Sequence, residues 1–166
     1  METSLHRLLA AAPADAPAIT APGRPALTHE ALQRLITATL ATLNTLGVGR
    51  NDRVAIVLAN GPEMATCFIA AACGVTTAPL NPGYRAEEFE FYLSDLHARA
   101  LIVEHDSHSP AIEVAQRLGV RGMVGVGRFE HFTAHDLAAR ESFVFDFEVR
   151  ERGPGQAFGL DDSANG

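Results

Sequence analysis

One stretch constrains this chain more than any other: Asp52–Pro82, with the sequence DRVAIVLANGPEMATCFIAAACGVTTAPLNP. It contains Val54–Leu58, an unbroken run of β-branched and aliphatic residues, which is the pattern of a parallel strand covered on both faces. Asn60-Gly61 interrupts the run, and Pro62 suits the first position of a helix because that position needs no N–H donor. The stretch therefore predicts a strand in the centre of a sheet, followed directly by a helix.

The predicted helix is apolar almost all the way round. Because Met64–Cys73 has no polar face, we expect this helix to be buried between the sheet and another layer rather than to lie on a surface. Gly74 is predicted to end it in a left-handed cap. Val75–Leu80 is then predicted to be a second strand, which completes a βαβ unit with a right-handed crossover.

The flanking sequence continues the alternation of strands and helices. The predicted elements are a short helix within Ser4–Pro13, a hairpin around Pro22-Gly23, an amphipathic helix over Thr28–Leu46 ended by Gly47, a second amphipathic helix in GYRAEEFEFYLSDLHA, a strand at Ala100–Val103, a helix at Pro110–Leu118, and strands at Gly122–Val126 and Ser142–Val149. We therefore predict an α/β fold with a doubly wound, mostly parallel sheet and helices on both faces. It should form a single domain over residues 1–166, with a flexible tail at 153–166.

The charged residues exclude several functions. The net charge of −7 and the scattered basic residues argue against a nucleic-acid partner, which would need clustered cations. All thirteen basic residues are arginine, so chemistry that depends on a lysine is excluded within these residues. No apolar run approaches the roughly 18 residues that span a bilayer, and we expect a cytoplasmic protein without a membrane span. Cys67 and Cys73 lie on different faces of one predicted helix and are expected to be core thiols.

Motifs that would carry chemistry by themselves are weak. His131 and His135 have the four-residue spacing of two ligands on one helix face, but no third ligand can be identified, so we expect no metal site. Gly119, Gly122, Gly125 and Gly127 are threaded through an apolar strand with the spacing reversed, whereas a dinucleotide fingerprint needs its glycines between a strand and a helix. No nucleophile with a partner base is apparent, and no catalytic residue is predicted.

Several short segments resemble the adenylate-forming acyl-CoA synthetases, the AMP-binding family, in its N-terminal subdomain only. The resemblance runs from about Ala16 to Val103. The segments that carry it are Leu27–Leu32, Leu46–Gly49, Asp52–Ile56, Asn60–Met64, Ala70–Gly74, Ala78–Pro82, Tyr84–Phe89 and Leu93–Leu96. His29 stands where the family pattern usually has an aromatic residue.

The resemblance implies an ATP-dependent ligase. Members of this family join a carboxylic acid to AMP with release of pyrophosphate, and then transfer the acyl group to the thiol of coenzyme A. ATP, Mg²⁺ and coenzyme A are the cofactors implied for the full-length family, and none is expected to bind tightly to this fragment. The family's phosphate-binding loop with its lysine, its adenine and Mg²⁺ motifs and its C-terminal lysine lie further along, and the phosphate loop is expected near Gly166. The chain is therefore expected to be a fragment that is inactive alone, whose partner is the missing remainder of the ligase and whose parent acts on a small carboxylic acid.

Three residues are candidates for cofactor binding in such a parent enzyme. Arg85, in the loop that leads into a helix, is the candidate for a coenzyme A phosphate, with Tyr84 and Asn81 beside it. Each has an alternative role. Arg85 could be solvated or paired with Glu88, Tyr84 could cover the edge of the core, and Asn81 could serve the turn before Pro82.

Two other interpretations remain open. The chain could be a free-standing α/β binding or interaction module that keeps the family scaffold without catalysis. A flavodoxin-like nucleotide binder would need a phosphate-cradling loop after the first central strand, where Ala59–Pro62 offers one glycine and a proline without an N–H. A fragment that normally packs against a second subdomain should expose an apolar patch, through which it could form a homo-oligomer.

Overall fold

The computed structural model describes residues 4–104, 107–120 and 122–126. The elements in chain order are α1 (Leu5–Ala10), β1 (Pro17–Ile19), β2 (Leu27–Thr28), α2 (His29–Thr45), β3 (Arg53–Val57), α3 (Pro62–Ala72), β4 (Thr76–Pro79), α4 (Ala86–Leu96), β5 (Ala100–Glu104), α5 (Pro110–Arg117) and β6 (Gly122–Val126). The predicted strand at Ser142–Val149 and the predicted tail at 153–166 lie outside the described residues.

The main sheet has four parallel strands in the order β4-β3-β5-β6. The chain runs from β3 to its neighbour β4 through α3, then crosses back over β3 through α4 to reach β5 on the other side. This reversal of direction is the hallmark of a doubly wound sheet. The predicted fold class and the central position of the Val54–Leu58 strand are confirmed.

The central strands divide their side chains between two cores. Val54 and Ile56 of β3 pack with α2 and α3, whereas Ala55 and Val57 point to the opposite face and pack with α4 and α5. β5 divides its side chains in the same way, with Ala100 and Ile102 in the first core and Leu101 and Val103 in the second. A strand buried on both faces cannot alternate with polar residues, which explains the unbroken apolar run in its sequence.

The N-terminal part of the chain covers one edge of the first core. Strands β1 and β2 form the predicted antiparallel hairpin, and Thr28 caps α2 because its Oγ1 accepts a hydrogen bond from the Ala31 N–H at 3.2 Å. The predicted stripe of α2 is buried, with Leu32 and Ile36 at its centre. Gly47 follows the helix with φ of 69°, a conformation that suits a residue without a Cβ.

Two predictions about α3 are wrong. The helix packs against α2 and the sheet through a face that includes Cys67, Ala70 and Ala71. Phe68 of the same helix is 38% exposed, so α3 also forms part of the surface. Gly74 does not have a left-handed backbone, because its φ is not positive. Cys73, the C-cap residue before it, has a right-handed helical conformation. Its small size matters for another reason, because a Cβ built on Gly74 would lie 2.6 Å from Cδ2 of Leu40 on α2. The glycine therefore permits close packing of two helices rather than a turn.

Candidate functional site

All four strands of the parallel sheet end at the same edge, where the described loops after β3 and β4 begin. Doubly wound proteins bind ligands outside this carboxyl edge, at the point where the strand order reverses. Here the reversal lies between β3 and β5, because the chain leaves β3 towards β4 and returns on the other side. The three candidate residues Asn81, Tyr84 and Arg85 lie in the loop after β4, at the edge strand next to the reversal.

The loop after β4 is a closed turn. Leu80 is still tied to the sheet through its N–H, which donates to the Ile56 carbonyl at 2.9 Å. The Asn81 side-chain Oδ1 accepts from the Gly83 N–H at 2.9 Å, and its carbonyl accepts from the Tyr84 N–H at 3.1 Å. Asn81 therefore holds the turn with two of its oxygens, an arrangement favoured by the short side chain of asparagine.

Tyr84 connects the turn to α4. Its ring stacks on that of Tyr92 with centroids 5.1 Å apart and meets the edge of the buried Phe89 at 5.8 Å. Tyr84 is half-buried and packs against the second core. The pKa of its phenol is raised, first by the hydrogen bond with Tyr92, then by desolvation and by the nearby negative charge of Glu88. The phenol is therefore neutral at physiological pH and available as a hydrogen-bond partner.

Arg85 is the N-cap residue of α4. Its backbone N–H donates to Oε2 of Glu88 at 2.9 Å, so Glu88 folds back over the first turn of the helix. This contact uses the backbone of Arg85, and its side chain is exposed. Among the residues that the structure describes, no carboxylate forms an ion pair with its guanidinium. An exposed guanidinium at this place can bind an anionic group from solution.

The loop between β3 and α3 lies at the reversal itself. Ala59, Asn60 and Gly61 are exposed. At the start of α3, Glu63 forms an ion pair of 2.7 Å with Arg24, which lies in the hairpin turn, far away in the sequence. The carboxylate of Glu63 already lies at this helix start, and Pro62 has no N–H to offer, so the loop is a poor phosphate cradle.

The sequence did not reveal two of the contacts that shape this edge. Tyr92 was expected only as part of the apolar face of α4, whereas it is the partner of Tyr84. The pairing of Arg24 with Glu63 joins distant parts of the chain, and neither residue has a local sequence pattern that indicates it. The spacing of Phe89 and Tyr92 on α4 is the signal that could have suggested an aromatic partner for Tyr84.

The chemistry available at this edge is that of a binding surface. Its described residues offer a guanidinium, a neutral phenol and amide groups, and among them no nucleophile is paired with a base. Within the described ranges, no three His, Cys, Asp or Glu side chains come together in a way that could hold a metal ion. Over the same ranges, no helix has both the length and the apolar character required to cross a membrane.

Comparison with known proteins identifies the relatives of this chain. A family model described as AMP-binding enzyme matches residues 6–155. The chain is 37% identical over 132 residues to an oxalate–CoA ligase of Arabidopsis thaliana, an alignment that covers 78% of this chain and 24% of the plant protein. It is 46% identical over 57 residues to an oxalate–CoA ligase of Saccharomyces cerevisiae, which covers 34% of this chain and 10% of the yeast protein.

Among solved structures, apo MatB from Rhodopseudomonas palustris has a similar fold. The TM-score is 0.69 at 19% identity, with 90% of this chain and 30% of MatB covered. The likeness at this level of identity concerns the fold. The chain spans about a quarter of the length of the plant CoA ligases that it matches.

Proposed function

The chain belongs to the family of AMP-binding enzymes, and on that premise we propose that it is the N-terminal part of an ATP-dependent carboxylic acid–CoA ligase. Such an enzyme joins an acid to AMP, releases pyrophosphate and then passes the acyl group to the thiol of coenzyme A. The observation that carries the proposal is the family match over residues 6–155, in a chain that spans about a quarter of its plant CoA ligase relatives. The remainder of the ligase is the proposed partner of these residues.

These 166 residues are proposed to be inactive alone. Formation of an acyl adenylate concentrates negative charge on the α-phosphate, and its stabilisation requires oriented N–H donors, a cation and a metal ion. The chain has no lysine, and among the described residues the carboxyl edge offers the exposed guanidinium of Arg85 and no group of carboxylates that could hold Mg²⁺. ATP and Mg²⁺ are therefore assigned to the remainder of the ligase.

Arg85 is the residue that we propose for direct contact with coenzyme A. Its exposed guanidinium can bind a phosphate of the coenzyme. Asn81 and Tyr84 set its position, because the Asn81 turn and the stacking of Tyr84 on Tyr92 fix the loop that ends in Arg85. The contribution of this fragment is then one wall of the acyl-acceptor channel.

Oxalate is the first acid to test. Two relatives of this chain are oxalate–CoA ligases, from a plant and from a yeast. The acid itself is proposed to be selected by the rest of the enzyme, since the exposed guanidinium of Arg85 at the described carboxyl edge is assigned to a phosphate of coenzyme A.

A chimera tests the proposed function. The segment of the Arabidopsis ligase that aligns with this chain is replaced by this chain, and formation of oxalyl-CoA is measured with oxalate, ATP and coenzyme A. We expect a monodisperse chimera that forms the thioester only when ATP is present, and no thioester from the 166-residue chain alone. Thioester formation by the isolated chain would contradict its inactivity, and a folded chimera without activity would contradict its role as the ligase N-terminus.

A pair of arginine variants tests the proposed contact with coenzyme A in the same chimera. Arg85→Gln removes a charge-assisted contact worth about 1.5–3 kcal/mol, so the KM for coenzyme A should rise roughly tenfold or more. Arg34→Gln is the matched control, because Arg34 is also exposed and forms an ion pair of 2.7 Å with Glu30 on its own helix, away from the carboxyl edge. Equal effects of the two substitutions on the KM for coenzyme A would refute the contact.

We further propose that the isolated chain is cytoplasmic and self-associates. Phe91 of α4 is 64% exposed and Leu8 of α1 is 60% exposed, so each offers apolar surface that contact with a second copy of the chain would remove from water. Sedimentation of the purified chain should show dimers or larger species at high concentration. A chain that stays monomeric up to the highest concentration tested would contradict self-association.

A further inference from the structure

Asn60 and Gly61 form an asparagine–glycine pair in the exposed loop between β3 and α3. We propose that Asn60 is a site of spontaneous deamidation. This modification is independent of the ligase reaction and concerns the loop at which the strand order reverses.

The reaction uses only the chain and water. The backbone nitrogen of Gly61, after loss of its proton to solvent, attacks Cγ of the Asn60 side-chain amide. A nitrogen–carbon bond forms, the bond from Cγ to the side-chain nitrogen breaks, and the NH2 group leaves as ammonia after taking one proton from water, which balances the proton lost by Gly61. Water then opens the resulting cyclic imide at either of its carbonyls, which yields aspartate or isoaspartate at position 60.

The local structure leaves the attacking nitrogen accessible. Gly61 has no Cβ to shield its nitrogen, and both residues of the pair are exposed. The Gly61 carbonyl accepts the first hydrogen bond of α3 from the Ala65 N–H at 3.0 Å, whereas its own N–H finds no acceptor among the described residues. The nitrogen can therefore lose its proton without breaking a backbone hydrogen bond.

The other asparagines of the described part of the chain are protected. Asn81 precedes Pro82, whose nitrogen carries no hydrogen and cannot attack. Asn51 precedes Asp52, whose N–H is held by the Gly49 carbonyl at 3.0 Å. Asn44 lies within α2 and is followed by a β-branched threonine. Among the described asparagines, Asn60 is thus the one whose following residue has a backbone nitrogen that is neither hydrogen-bonded nor shielded by a side chain.

Conversion would change the start of α3. A carboxylate at position 60 adds negative charge next to the helix N-terminus, where the helix dipole favours it. Isoaspartate also adds a methylene to the backbone between the central strand β3 and α3, and so changes the geometry of the loop. The carboxyl edge of the sheet becomes more acidic in both products.

Peptide mapping tests the proposal with controls inside the chain. The purified chain is incubated in mildly acidic and mildly alkaline buffers, and trypsin then releases residues 54–85, which carry both Asn60 and Asn81 on one peptide. Asn165-Gly166, which lies outside the described residues, is on another tryptic peptide and serves as a reference pair. We expect amide-to-acid conversion at Asn60, faster in alkaline buffer, with Asn81 intact. An Asn60 that keeps its amide after Asn165 has converted would overturn the proposal.

A variant separates the imide route from general hydrolysis. Gly61→Ala should fold normally, because the backbone there is extended and an added Cβ would meet only Oε2 of Glu63, at the ordinary contact distance of 3.4 Å. The methyl group shields the nitrogen, so conversion at Asn60 should be largely lost while the far-ultraviolet circular dichroism of the folded chain stays unchanged. Conversion at the same rate in this variant would overturn attack by the Gly61 nitrogen.

Discussion

Substitution of Gly74 by alanine tests how tightly α2 packs against the end of α3. The new Cβ would lie 2.6 Å from Cδ2 and 3.0 Å from Cδ1 of Leu40, inside the roughly 3.5–4.0 Å of an ordinary carbon–carbon contact. Leu40 is only 5% exposed and belongs to the first core, so its side chain has little room to move away. Overpacking of this kind costs about 1–3 kcal/mol of unfolding free energy.

The alternative explanation for a glycine at this position is its backbone freedom, and the two explanations differ in their coupling to Leu40. Leu40→Ala alone should cost about 2–5 kcal/mol. If the cost of Gly74→Ala comes from the clash, the smaller side chain at position 40 relieves it, and the double variant should be about 1 kcal/mol or more stabler than additivity predicts. If the cost comes from backbone strain, the two losses should simply add.

Urea denaturation of the four proteins in this cycle gives the coupling energy, provided that the denaturant slope stays constant. Gly61→Ala is the matched control: its Cβ meets no carbon atom, so any loss at this N-cap position should simply add to that of Leu40→Ala. Additive losses for Gly74→Ala and Leu40→Ala would refute the packing role of Gly74.

Three further predictions concern buried or coupled side chains. Thr39→Val should raise the unfolding free energy by roughly 1 kcal/mol in urea denaturation, because the Thr39 Oγ1 is buried and has no hydrogen-bond partner among the described residues. A decrease of the unfolding free energy by a similar amount would show that the hydroxyl is hydrogen-bonded. Tyr92→Phe should lower the pKa of Tyr84 towards its ordinary value, as measured by ultraviolet titration. The chain has two tyrosines and no tryptophan, so in this variant Tyr84 is the only phenol that contributes to the signal. An unchanged pKa would refute the hydrogen bond with Tyr92 as the main cause of the shift. Burial raises the pKa of Cys67 to about 12 and that of Cys73 to about 11. A thiol reagent at neutral pH should therefore modify half-buried Cys73 slowly and buried Cys67 only after unfolding, which mass spectrometry can follow. Equal rates of modification in the folded chain would contradict this order.

The sequence predicted the elements whose pattern is set by local physics. The run Val54–Leu58 is apolar at every position because both faces of β3 are covered, and this pattern alone placed the strand in the centre of the sheet. Thr28 and Gly47 marked the ends of α2 through capping chemistry that depends only on neighbouring residues. The family resemblance, based on short segments between about Ala16 and Val103, was confirmed by a match over residues 6–155.

The features that the sequence did not predict depend on contacts between distant residues. Gly74 was assigned to a helix cap, but its role is set by Leu40, which no local pattern connects to it. The apolar circumference of α3 predicted burial between the sheet and another layer rather than a place on the surface, whereas Phe68 of this helix is 38% exposed. At the candidate site, Arg85 was proposed from its place before a helix and stays a prediction, whereas the stacking of Tyr84 on Tyr92 could be seen only in the fold.

The central claim is that these residues are the N-terminal part of a larger acid–CoA ligase, and one measurement tests it most directly. The source DNA is sequenced past the codon for Gly166. We predict that the reading frame continues into a Ser/Thr/Gly-rich loop that carries a lysine, followed by the remainder of the ligase. A stop codon directly after Gly166 would contradict the claim and would favour a free-standing binding module.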